Sequence, residues 1–290
     1  MASAFPDVAT LLVGDVVVAE YVTRPDVDPA RGPRPYLHPV RTLGGTVVTD
    51  LLPEDHPHHL GVSLSMQDVN GSNLWGGRTY VREVGYAWRD DHGRIEHLGW
   101  SERRDGRLAN RMRWYGSGGE SLLEEERTMA AGALAGGATL AGSAGGAWLL
   151  DVAYRLVNPN PTPVNLGSPA TNGRPGKAGY GGFLWRLAPG VPYVFDPETD
   201  VEEDVNGSAA AWVAAAGVNP DPYTLIYTGL GEGDRWFVRA AEYPGVCVAL
   251  AFEEVRRIEP GGSLARRHRV IVADGHRTRD EAAAVVAALP

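Results

Sequence analysis

The chain has 290 residues, 43% of them apolar, and carries eight Trp and eleven Tyr. A globule of this size buries roughly 75% of the surface that its unfolded chain exposes, so it needs no disulfide or metal staple. The formal charge of −9 comes from 36 acids against 27 bases, and no stretch gathers the Lys and Arg that would neutralise phosphates or anionic lipids, which argues against nucleic acid and membrane surfaces as partners.

From the N-terminus onward, short β-rich runs are closed by Gly, Pro, Asn or Asp. The opening segment lacks the basic and apolar stages of a signal peptide, since Asp7 and Asp15 interrupt it, and the expected location is the cytoplasm. Strands are predicted at residues 15–21, 46–51, 60–67, 93–100, 107–115, 122–129, 148–157, 163–167, 236–241, 246–252 and 264–272. So many strands with such short connections stack most economically as two sheets. The expected fold is all-β, a large antiparallel two-sheet sandwich, with residues 1–290 as a single domain. The Arg-rich stretches 103–113 and 256–269 are interleaved with apolar residues and read as solvated strand faces.

Residues 128–150 run uncharged for about the length a bilayer requires. They are Ala and Gly where a span needs Leu and Ile, and Gly136, Gly137, Gly145 and Gly146 suit turns between two short strands. The Gly/Pro-rich stretch 158–182 is the longest candidate loop, a type of segment that is usually functional. The single cysteine, Cys247, sits in an apolar run and behaves as a small buried hydrophobe. One short C-terminal helix is predicted over 282–289, with Thr278 as N-cap and Glu281 completing a capping box, packed on the sandwich edge.

The strongest local signal is Glu54-Asp55-His56-Pro57-His58-His59, within the histidine-rich segment 52–77. If extended, the segment projects His56 and His58 together and turns His59 away, although Pro57 interrupts such alternation. Imidazole titrates near neutrality and can give or take a proton at a sugar oxygen, with Asp55 orienting one ring. A His-x-His pair also suits a divalent metal, with a third ligand from His38, Asp68 or one of Glu124, Glu125 and Glu126; the sequence itself requires no cofactor. Next come Asp68, Asn70, Trp75 and Arg78, in a stretch where Asn70-Gly71 favours a turn. An aromatic plane beside amides, a carboxylate and a guanidinium suits a polyhydroxylated ligand, and a hairpin turn with Trp75 as core filler is the plainer alternative. A second cluster, residues 170–186, holds Lys177, the only lysine, with Tyr180, Trp185 and Arg186. It matches no phosphate-binding loop and is expected to close over the pocket.

Three motifs in order carry a resemblance: Asp55-His56-Pro57-His58-His59-x-Gly61, then Asp68-Val69-Asn70-Gly71-x-Asn73-x-Trp75-Gly76, then Gly173-Arg174 followed by Gly179-Tyr180-Gly181-Gly182-Phe183-x-Trp185-Arg186. Together they resemble the soluble bacterial PmoA-like domain family, labelled methane oxygenase. That label implies a metal-dependent oxygenase, a disfavoured expectation because the subunit of that name is an integral membrane protein and no convincing span is present here. The tail from Ile258 to Gly275 is similar to the closing strands of galactose-mutarotase-like supersandwiches. That similarity implies a groove on one sheet where a His acid and a carboxylate base work on a sugar oxygen, although no carboxylate here matches a motif.

The expected function is an intracellular carbohydrate-active enzyme using His56 and His58, with His59 and Asp55, as acid/base groups in epimerisation, elimination or hydrolysis. His38, Asp68, Asn70, Trp75, Arg78, Lys177, Tyr180, Trp185 and Arg186 are the expected contacts to a small saccharide. The rival expectation is a non-catalytic carbohydrate-binding accessory protein that works with a sugar oxidoreductase.

Overall fold

The computed structural model describes residues 7–134, 146–191 and 193–289. Two large antiparallel sheets dominate. The front sheet has seven strands, in the order Val8–Val13, Val16–Val22, Tyr36–Val40, Val62–Ser65, Gly182–Arg186, Gly245–Ala249 and Arg235–Arg239. The back sheet has eight: Tyr193–Phe195, Trp212–Gly217, Tyr223–Thr228, Ser263–Asp274, Ala147–Val157, Ser121–Ala133, Arg107–Tyr115 and Arg94–Arg104. Two smaller sheets flank them, one of Arg256–Ile258, Val164–Gly167 and Asp68–Val69, the other a hairpin of Thr79–Val81 and Gly85–Ala87.

Alternation along the strands explains the sandwich. In Ala147–Val157 the side chains of Trp148, Leu150, Val152, Tyr154 and Leu156 are buried, while the residues between them are less so. Inward faces of the two sheets meet through Trp185 against Tyr227, with ring centroids 5.7 Å apart, and Phe183 stacked on His268 at 5.1 Å. Glu125, buried in this core, accepts from Trp114 Nε1 at 2.8 Å and from Arg127 Nε at 2.6 Å. Cys247 is buried, and burial pushes its thiol up to about 12, so it is inert as a nucleophile.

The outward face of each large sheet is covered differently. On the back sheet, Ala214, Ala216, Ile226 and Ile271 pack against Ala282 and Val285 of the helix Arg279–Ala287. The helix thus lies on a sheet face and not on the sandwich edge, because small alanines leave room for it there. Its capping box is formed as expected, Thr278 accepting from the Glu281 N–H at 3.3 Å and Glu281 accepting from the Thr278 N–H at 2.8 Å. On the front sheet, Leu184, Phe237, Cys247 and Ala249 support Trp75, Tyr180 and Phe252. That outer face carries the site.

Residues 46–51 form only isolated bridges, Val47 to Arg41, Thr49 to Leu187 and Leu51 to Leu60. Each bridge takes a different partner, so no ladder develops. Trp212–Gly217 and Tyr223–Thr228 escaped the sequence reading because all six residues of each strand are buried, which erases the alternating signature. Residues 128–133 end one long strand and 147–150 begin the next, paired from Thr128 opposite Ala153 to Ala133 opposite Trp148. The turn expected at Gly136, Gly137 and Gly145 lies outside the described residues. Among the described residues no helix is long and apolar enough to cross a membrane.

Candidate functional site

The histidine segment is a pair of tight turns and not an extended strand. The His56 N–H donates to Pro53 O at 3.1 Å and the His59 N–H to His56 O at 2.9 Å. Turns wind the chain, so all three rings gather: centroids lie 5.6 Å apart for His56 and His58, 4.7 Å for His56 and His59, and 4.8 Å for His58 and His59. His59 therefore packs with its neighbours, and its ring also meets Trp75 edge-on at 5.7 Å.

A buried arginine holds these turns in place. Arg34 donates from Nη2 to His58 O at 3.0 Å and from Nη1 to Trp75 O at 2.9 Å and Gly32 O at 2.8 Å, while its Nε reaches Ser63 Oγ at 3.1 Å. Burial lowers its guanidinium to about 9, which still leaves it charged at neutral pH. The neighbouring turn is fixed by Asn73, whose Oδ1 accepts from the Trp75 N–H at 3.0 Å and the Gly76 N–H at 2.9 Å. Gly77, at φ +71°, lies against the His58 ring where a Cβ would stand 2.7 Å from Nδ1. Trp75 and His58 are thus anchored through their backbones.

Electrostatics divide the three histidines. Burial, reinforced by the charges of Arg34 and His56, lowers His58 to about 3, so it is neutral at physiological pH. Burial also drives His59 well below the usual imidazole range, helped by its histidine neighbours and Arg186. His56 is half-buried and its Nδ1 stands 2.7 Å from Asp55 Oδ2. Burial would raise the Asp55 carboxyl, but the His56 hydrogen bond and the charge of Arg186 outweigh it and hold that carboxyl below the usual range. An ionised Asp55 only accepts, so His56 Nδ1 carries the proton of that bond and Nε2 is the free acceptor of the neutral ring.

These residues open onto a cleft of about 540 Å³. Its walls come from five separate stretches: Asp55 to His59; Trp75, Gly77 and Arg78; Tyr86, in the second strand of the small hairpin, with Trp88 just after it; Arg174 with Tyr180; and Phe237, Arg239, Glu242 and Tyr243. Tyr180 is tied into the wall by Gln67 Nε2 at 3.0 Å and the Tyr86 hydroxyl at 2.8 Å. Trp88 is 63% exposed at the mouth, an apolar plane open to a ligand. Among the described residues no three His, Cys, Asp or Glu side chains are grouped as a metal ligand set.

Of the residues singled out in the sequence, Asp55, His56, His58, His59, Trp75, Arg78 and Tyr180 line this cleft. Arg186 sits beneath it, 3% exposed, and grips Asp55 from Nη2 at 3.1 and 3.2 Å. Others are elsewhere. His38 bonds Thr49 Oγ1 at 2.9 Å, and Trp185 is buried between the sheets with Nε1 on Val48 O at 3.0 Å. Strand alternation accounts for Trp185, since Leu184 faces the cleft side and its neighbours face the core. Asn70 shapes the turn, accepting from the Asn165 N–H at 2.8 Å, and Asp68 lines a neighbouring cavity of about 290 Å³ while bonding the Gly71 N–H and Asn172. Lys177 points away to Glu203 O at 2.9 Å, so the second cluster reaches the cleft through Arg174 and Tyr180 and does not close over it with its lysine. Sequence reasoning missed Tyr86, Trp88, Arg239, Glu242 and Tyr243. The alternating Tyr80, Tyr86 and Trp88 around Gly85 carried a hairpin signal; nothing local marked residues 239–243.

Fold and site together define a two-sheet β protein with an open, aromatic, histidine-bearing cleft on the outer face of one sheet. The chain belongs to the family of unknown function DUF6807, whose model matches residues 9–287. That match brings no methane oxygenase label with it. No curated protein matches the sequence. Among solved structures, the chain is similar to a GH36 α-galactosidase from Geobacillus stearothermophilus, at 12% identity and a TM-score of 0.41 over 93% of this chain and 41% of that one. It is also similar to a polysaccharide lyase, at 12% identity and 0.38 over 99% and 35%, and to an α-galactosidase from Lactobacillus brevis, at 8% and 0.38 over 89% and 38%. The chain thus spans well under half the length of each.

Proposed function

We propose that this protein acts on a saccharide held in the cleft, with the Asp55 and His56 pair as its acid/base group. The observation that supports this reading is the meeting, in one open cavity, of aromatic planes from Trp75, Trp88, Tyr86 and Tyr243 with guanidinium, imidazole and carboxylate groups. Aromatic faces cover sugar C–H surfaces, and the polar groups replace the water lost from hydroxyls. His56 Nε2 takes a proton from the sugar, Asp55 stabilises the resulting imidazolium, and the same nitrogen returns the proton to a sugar oxygen. His58, kept neutral by burial, serves as a hydrogen-bonding partner and not as the proton donor. Glu242, the other carboxylate that lines the cleft, is the candidate partner to His56 in that chemistry. Epimerisation, elimination and glycoside hydrolysis all use such a pair.

A panel of mono- and disaccharides, read by tryptophan fluorescence and by product formation, tests this. Binding with turnover that is abolished in His56→Ala, while binding persists, supports an enzyme. Binding without turnover supports the accessory-protein reading, and failure of every saccharide to bind rejects both.

A further inference from the structure

The charge inside the cleft runs against the charge of the whole chain, which is −9. Three arginines line it, Arg78, Arg174 and Arg239, against two carboxylates, Asp55 and Glu242. Asp55 is already committed to Arg186 and His56. Glu242 stands 4.0 Å from Arg239 with its side chain 76% exposed, a weakly held pair. Beneath the floor, Arg34 adds a buried charge whose partners are carbonyls and a hydroxyl, and burial alone sets its shift with no carboxylate opposing it.

The two rim arginines are held by aromatic groups. Arg78 lies 6.0 Å from the Trp88 ring centre; Arg174 lies 4.9 Å over Tyr86 and donates to its hydroxyl at 2.6 Å. Among the described residues neither has a carboxylate within ion-pair distance. A guanidinium stacked on a ring keeps its planar fork oriented and its remaining N–H groups free for an anion.

From this geometry we infer that the ligand is an acidic sugar, a uronate whose carboxylate is gripped by Arg78 and Arg174 at the mouth while the ring lies over the histidine floor. This inference rests on the saccharide reading of the same cleft and narrows it. A guanidinium fork matches carboxylate oxygens with two parallel hydrogen bonds; sulfate and phosphate esters share the anionic chemistry and serve as controls.

The test is binding of the full chain to matched pairs of neutral hexosides and their uronides, beside the corresponding sulfated and phosphorylated hexosides, at low and high salt. At least one uronide is expected to bind about tenfold or more tightly than its neutral counterpart. The gap is expected to narrow as salt rises, since the rim is partly exposed. Arg174→Gln and Arg78→Gln are each expected to weaken the uronide about fivefold or more beyond any loss suffered by the neutral hexoside, so that the gap shrinks, because the uronide loses a charge-assisted pair where the neutral ring loses at most a hydroxyl contact. Neutral sugars binding as well as uronides, or ester anions binding better than carboxylates, would overturn the inference and leave the saccharide reading standing. No binding by any member of the panel overturns both.

Discussion

Besides a longer bond to Arg31 O, Arg34 joins three backbone carbonyls that no other donor reaches among the described residues, those of Gly32, His58 and Trp75, and so holds two walls of the cleft to each other. Replacing it by Met keeps the volume but leaves those acceptors dry. Because each unpaired buried acceptor costs about 1–3 kcal/mol, Arg34→Met is expected to lose about 3 kcal/mol or more of stability in urea unfolding. An unchanged midpoint would show that the carbonyls find water instead. Nothing near Arg34 in the sequence announces this part, because its partners come from positions 58 and 75 as well as from its own turn. Asp55 and His56 were legible, since adjacent residues can pair whatever the fold. Arg186 was named as a substrate contact, yet its partners Asp55 and Asp50 place it underneath, a distinction set by strand register and therefore invisible to composition.

At the scale of elements, the cleft depends on turns more than on strands. The long strands of the back sheet were readable because one face of each is more buried than the other, as Arg107–Tyr115 shows with its regular alternation. For residues 53–59 the sequence offered the extended form only as a condition, with Pro57 against it, because two turns in succession leave no periodicity to detect. Its packing partner is the turn at Gly76 and Gly77, both at positive φ. Gly77→Ala places a Cβ 2.7 Å from His58 Nδ1 and holds a non-glycine residue in the left-handed region, which alone costs about 1–3 kcal/mol. The variant is expected to lose stability by at least that amount and to lose saccharide binding as the His58 ring is displaced. Wild-type melting and binding in Gly77→Ala would show that the two turns are not mechanically linked.

For the whole molecule, the two-sheet plan followed from strand number and spacing, but the burial of histidine did not, since an imidazole reads alike on a surface and in a core. His58 is lowered to about 3, His268 to about 4 between the sheets, and His59 well below the usual range, in every case chiefly by burial. In the unfolded chain each returns to about 6.5. Between these limits the unfolded state binds more protons than the folded one, so stability is fully present above pH 6.5 and falls as the pH drops. Each unit of pH below 6.5 costs about 1.4 kcal/mol for each histidine that stays neutral in the fold. From pH 7 to pH 5 the three together are expected to remove roughly 6 kcal/mol, in a window above the carboxylate range where acids contribute little. Urea unfolding at the two pH values measures the loss, and His268→Gln is expected to reduce it by about 2 kcal/mol, the share of one ring. Equal stability at both pH values, or a loss unaffected by His268→Gln, would mean that these rings take up protons in the folded state and that the core and cleft floor are wetter than their packing implies.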